Sequence, residues 1–135
     1  MPEPASLTTR RPDVSVAGLV EEFVPPPHFD GVRFENYIPD PIHPSQAATV
    51  AALEAFAQRI AQLAAPRRGF FRRPAPPEGR SGVYLDGGFG VGKTHLLASL
   101  WHSVPGPKRY GTFVEYTNLV GALGFRTAVE SLKGN

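Results

Sequence analysis

The sequence predicts an α/β fold: a parallel sheet, incomplete, preceded by an extended arm and one long helix. Three observations lead there. Residues 82–133 read strand, helix, strand, helix, an order that builds a sheet with right-handed crossovers. A glycine-rich loop joins the first strand to the first helix of that run. Upstream, an alanine-rich stretch of helical periodicity lies between two proline-rich segments.

The elements follow in order. Residues 1–13 are polar and aperiodic, as expected of a mobile tail. Residues 14–24 (VSVAGLVEEFV) suit a short helix, ended by Pro25, Pro26 and Pro27. An extended arm follows, HFDGVRFENYIPDPIHP, in which Phe29, Phe34 and Tyr37 are too apolar for a free linker. Phe34 and Tyr37 are expected to clamp the arm onto a core. Ser45 is the expected N-cap of the long helix. Val50, Leu53, Ala57, Ile60 and Ala64 form one apolar stripe along it, widened by Phe56 and Leu63. Pro66 stops it, and a basic, proline-rich connector runs to residue 80. Gly82–Asp86 (GVYLD) reads as a strand. Lys93 to His102 reads as a helix, ended by Pro105-Gly106-Pro107. Residues 111–116 (GTFVEY) read as a second strand. Thr117 or Asn118 then caps a last helix to about Leu132, with Gly134 just past its end.

Composition divides the chain in the same way. Thirteen of its 15 prolines precede position 81, and ten of its 14 glycines follow it. The expected organisation is a tail with a short helix at 1–24, an arm, helix and connector at 25–80, and a βαβα core at 81–135. Cysteine is absent, which excludes a disulfide framework, a thiolate metal site and a cysteine nucleophile. No apolar run approaches the ~20 residues of a membrane span, and MPEPASLTTRRPD lacks the apolar core of a signal peptide. A cytoplasmic location is expected.

Net charge is +2 over 135 residues, and it is unevenly placed. Within 67–80, Arg67, Arg68, Arg72, Arg73 and Arg80 face only Glu78, behind an acidic front. By charge alone this block suits an acidic partner, an anionic lipid surface or nucleic acid. Phe70 and Phe71 favour a membrane or protein contact, and nothing predicts specific nucleic-acid recognition. The plainer reading is a solvated linker.

Chemistry concentrates at residues 87–94. Gly87, Gly88, Phe89, Gly90, Val91, Gly92, Lys93 and Thr94 fit the phosphate-loop pattern G-x-x-x-x-G-K-[ST]. The glycines let successive N–H groups turn inward on an anion. The following helix adds its positive dipole end. Lys93 brings a compact charge to the β- and γ-phosphates, and Thr94 places a hydroxyl on Mg²⁺. The motif thus calls for ATP and Mg²⁺, with Lys93 and Thr94 as the catalytic candidates. A strand before the loop and an apolar helix after it supply the context the motif needs. Asp86, at the strand end, is expected to brace the loop rather than meet phosphate.

Other candidates carry plainer alternatives. Gln46 is a candidate for reading the adenine edge, since an amide both donates and accepts; the alternative is a solvated first-turn glutamine. Glu115 is either the acid of a small complete kinase or an ordinary strand-end residue. His95 and His102 share a helix face seven residues apart, wider than the four typical of a pair on one metal, so packing or surface roles are expected.

The features VRFENYIPDPIHPSQAATVAALEAFA, GVYLDGGFGVGKTHLLASLWH and GTFVEYTNLVGALGF resemble the bacterial ZapE cell-division ATPases and their mitochondrial AFG-like relatives, a branch of the AAA+ P-loop proteins. Asp40, Pro41, Ser45 and Gln46 narrow the likeness to this branch. The resemblance implies an ATPase that couples hydrolysis to remodelling of a protein partner, in cell division or elsewhere, and leaves homo-oligomerisation open. It also implies that the second acidic motif, the sensors, the arginine finger and the lid lie beyond Asn135. Two other readings stand beside it: the small P-loop kinase, and a nucleotide-binding module without turnover. Direct parallel pairing of 83–85 with 112–115 would favour the kinase. The AAA+ reading leaves these two segments without regular pairing.

Overall fold

The computed structural model describes residues 15–65, 79 and 81–133. The expected tail at 1–13, most of the basic connector and Gly134 lie outside the described residues. Five α-helices are described: α1 (Val16–Glu21), α2 (Pro44–Ala64), α3 (Lys93–Ser103), α4 (Phe113–Leu123) and α5 (Phe125–Leu132). They belong to two compact units, one formed by 1–24 with 111–135 and the other by 25–110.

In the first unit, Ser15 caps α1 by accepting from the Gly18 N–H at 3.0 Å. α1 ends at Glu21, ahead of the prolines. Phe23, Leu119 and Ala128 are buried, with Leu19, Tyr116, Leu123 and Leu132 packed around them. The Phe23 and Tyr116 rings sit 5.0 Å apart. Gly111 is required here: a Cβ on it would lie 2.8 Å from Phe23 Cδ1.

The second predicted strand is overturned in this unit. Residues 113–116 open α4, and Thr112 is its N-cap. The Glu115 N–H donates to Thr112 Oγ1 at 3.3 Å, while the Thr112 N–H and hydroxyl donate to Glu115 Oε2 at 2.6 and 2.8 Å. This reciprocal box satisfies donors a helix start leaves orphaned. Tyr116, Leu119 and Leu123 then fall on one helix face, and that burial outweighs the β-preference of Thr112, Phe113 and Val114. The expected single last helix is also corrected. Gly124 (φ 77°) ends α4 and starts α5.

The box holds the Glu115 carboxyl below its ordinary range, first through the Thr112 N–H and then through its hydroxyl. A carboxylate depressed in the folded state contributes stability above its unfolded pKa and loses it as pH falls through the folded value. Circular dichroism should therefore show α4 weakening on acidification below the ordinary glutamate range, with a flatter acid limb in Glu115→Gln. Thr112→Ala should cost about 1 kcal/mol at neutral pH.

The second unit holds the arm, α2, the glycine loop and α3. Phe34, Leu53 and Leu96 are buried together, and Tyr37, Val50, Leu85 and Leu100 pack on them. Leu53 and Ala57 are the buried part of the expected α2 stripe, whereas Leu63 lies exposed. The predicted Ser45 cap is corrected: His43 holds that position, and Pro44 is the first helical residue. The fixed φ and missing N–H of proline suit that place.

The predicted parallel sheet is not observed. Among the described residues there is no strand. A strand exists only as half of a ladder, and the segment expected as the second strand is helical. Residues 82–86 carry no regular secondary structure. Leu85 still reaches the core, and Tyr84 is 89% exposed.

Candidate phosphate-binding site

The arm is built first. Phe34–Asn36 form a 3-10 turn in which Asn36 Oδ1 accepts from the Arg33 N–H at 2.8 Å. The Asn36 amide donates to Gly31 O at 2.9 Å, and the Arg33 guanidinium donates to Asp30 O at 2.9 Å. The turn drives Phe34 into the core and sets Tyr37 beside the loop. α3 holds the arm from the other side. His95 Nε2 is 3.0 Å from Arg33 O, and His102 Nε2 is 3.0 Å from Phe29 O. Since a carbonyl only accepts, each imidazole carries its proton on Nε2. The two histidines thus fasten one strip of backbone from one helix face, a role their spacing alone did not reveal.

The loop closes onto α3. Asp86 Oδ1 accepts from the Gly87 N–H at 2.8 Å, which braces the loop where it starts. Gly90 (φ 73°) and Gly92 (φ 85°) adopt left-handed backbone that a side chain disfavours. Gly92 is the N-cap of α3 and carries no side-chain cap, so the first N–H groups of that helix are left for another acceptor. Lys93, half-buried at the first helical position, donates through Nζ to Gly87 O at 2.8 Å and Gly88 O at 2.5 Å. These bonds hold its charge over the loop.

A cleft of about 320 Å³ collects most of the sequence candidates. Gly87, Gly88, Val91 and Lys93 line it, together with Gln46 and Asp86. Gln46 is not merely solvated: its Oε1 accepts from the Asp40 N–H at 2.7 Å. Phe89 is fully exposed and Thr94 is exposed, and neither lines the cleft. His43, Ser45 and Thr49 do line it, and sequence reasoning missed them as a set. The signal was the helical spacing of Ser45, Gln46 and Thr49 after Pro44, which puts three polar residues near one another at the start of α2.

Chemically, the site offers a glycine turn, a helix start and an ammonium converging on a cleft whose walls mix polar side chains with Leu85 and Leu96. That arrangement suits a phosphorylated ligand. Residues 14–120 match the family of AFG1-like ATPases, and the chain belongs to that family. The family supports ATPase function, with ATP and a divalent metal as its requirements. No curated protein and no solved structure matches the chain significantly. Among the described residues no helix is long and apolar enough to cross a membrane.

Proposed function

We propose that this chain binds Mg²⁺-ATP in the loop-and-helix cleft, as the ATP-binding part of a ZapE-like AAA+ ATPase that remodels a protein partner in cell division or elsewhere. The observation that carries the reading is that the loop residues Gly87, Gly88 and Lys93 share one cleft with Gln46. Loop N–H groups and the α3 N-terminus receive the phosphates, and Lys93 exchanges its carbonyl contacts for phosphate oxygens. Thr94, exposed in the first turn of α3, would hold the Mg²⁺, which when bound neutralises charge on the β- and γ-phosphates. With its oxygen fixed by Asp40, the Gln46 amide has donors for acceptor atoms of adenine. Gly88 through Thr94 handle phosphate, and Gln46 handles the base. The arginines of 67–80 are the proposed contact for an acidic protein or membrane surface.

Glu115 fits a catalytic acid poorly, because its carboxylate is committed to capping α4. The kinase reading therefore lacks its acid. Titration calorimetry of the 135-residue chain is expected to show ATP binding that weakens at least about tenfold on chelating Mg²⁺ with EDTA, given the charge the ion offsets. Gln46→Ala is expected to narrow the preference for ATP over GTP. Absence of ATP binding in the parent chain would overturn the proposal. Phosphate-release assays alongside distinguish binding from turnover.

A further inference from the structure

We propose that Tyr37, which lines the cleft, is a positioning residue for the phosphate loop: its hydroxyl, delivered by the arm, fixes the loop backbone. The inference deepens the phosphate-site reading and rests on it. Tyr37 Oη donates to Val91 O at 2.8 Å, across 54 residues of sequence. Gln46 Oε1 stands farther from the same hydroxyl, at 3.4 Å, and already accepts from Asp40. The one hydroxyl proton therefore belongs to Val91.

The ring acts at the next residue. A Cβ on Gly92 would lie 2.7 Å from Tyr37 Cε2. Gly92 thus lacks a side chain for two reasons, its left-handed φ of 85° and the edge of the Tyr37 ring at Cε2, which fills the space a Cβ would take. Tyr37 is itself held at 5.5 Å, edge to face, by His95, whose other bond is to Arg33 O on the arm. The tyrosine therefore pins the two peptides that lead into α3.

Pinning the Val91 carbonyl has a consequence for anion binding. A peptide's C=O and N–H point opposite ways. A carbonyl drawn toward Tyr37 turns the N–H of Gly92 away from Tyr37. The same bond keeps the Val91 oxygen, which a phosphate would repel, engaged elsewhere. Tyr37 lines the cleft, but its hydroxyl is committed to the Val91 carbonyl, so removing that hydroxyl should act through the loop, weakening the phosphate end and sparing the nucleoside end.

Tyr37→Phe keeps the ring on Gly92 and removes only the hydroxyl. Three measurements on the full 135-residue chain test the inference: amide hydrogen exchange of residues 87–93 without ligand, and affinities for inorganic pyrophosphate and for adenosine. Expected in Tyr37→Phe are faster loop exchange and about fivefold weaker pyrophosphate binding, the scale of one hydrogen bond, with adenosine affinity unchanged. A purely structural role would lower thermal stability without separating the two ligands. Unchanged pyrophosphate affinity, or a loss shared equally by adenosine, would overturn the inference while leaving the site reading intact. Weaker pyrophosphate binding with unaltered loop exchange would also overturn it, since Tyr37 would then be touching the ligand. A parent chain that binds no pyrophosphate would bring down the site reading first, and this inference with it.

Discussion

Lys93→Ala is expected to lower affinity for ATP about 100-fold or more, and to do so without unfolding the chain. The magnitude follows from the chemistry of an ammonium on a polyphosphate. Hydrogen bonds to charged groups contribute about 1.5–3 kcal/mol each, and Lys93 offers several donors. At about 1.4 kcal/mol per tenfold, two orders of magnitude is the conservative end. The fold should tolerate the change. Lys93 Nζ bonds to the loop's own Gly87 and Gly88 carbonyls, and Phe34, Leu53 and Leu96 form the core without it. Alanine is also a good residue for the first turn of α3. Lys93→Arg should recover only part of the affinity, since a planar fork is larger than an ammonium and cannot occupy the same point between two carbonyls. Calorimetry with ATP and with adenosine separates the cases. A loss for ATP alone fits a phosphate ligand. Affinity for ATP equal to the parent's would sink the assignment of Lys93.

How much of this was legible in the sequence depends on the range of the physics. The loop and α3 were legible because their determinants are contiguous: glycines where the backbone turns, then lysine, then an apolar helix. The long helix was legible from alanine content and the Val50–Leu53–Ala57 stripe, and its start slipped by two residues because Pro44 makes His43 the cap. The second strand failed for an instructive reason. Thr112, Phe113, Val114 and Tyr116 are β-formers, but that preference is realised only in a ladder, whereas the Thr112–Glu115 box needs only itself. The T-x-x-E spacing was present to be read. The clamping of the arm by Phe34 and Tyr37 was legible from their apolar bulk, but the polar bonds that fasten it were not. Tyr37 to Val91, His95 to Arg33 and His102 to Phe29 span 54, 62 and 73 residues. Such contacts follow from packing, which no short window of sequence contains.

Phe34→Ala is expected to be the most damaging core substitution in the unit of residues 25–110, costing about 3–5 kcal/mol. Phe34 is 6% exposed and meets Leu53, 1% exposed, and Leu96 in one cluster. Truncating a buried phenylalanine removes its transfer free energy and leaves a cavity. The cost also reaches the site. Phe34 lies three residues before Tyr37, at the head of the 3-10 turn that aims it, so loosening the turn releases the hydroxyl from Val91. With native domains stable by only about 5–15 kcal/mol, such a loss brings the unit near its unfolding midpoint. Trp101, the lone tryptophan, sits on α3 in the same unit and gives a local fluorescence signal. Denaturant titration followed at Trp101 should show a markedly lower midpoint for Phe34→Ala and a smaller shift for Phe34→Leu, which keeps most of the apolar volume. Nucleotide affinity should fall in the same order. A shift below about 1 kcal/mol for Phe34→Ala would mean that the cluster closes without the arm. The arm would then be a passenger, and the route from Phe34 through Tyr37 to the loop would be lost with it.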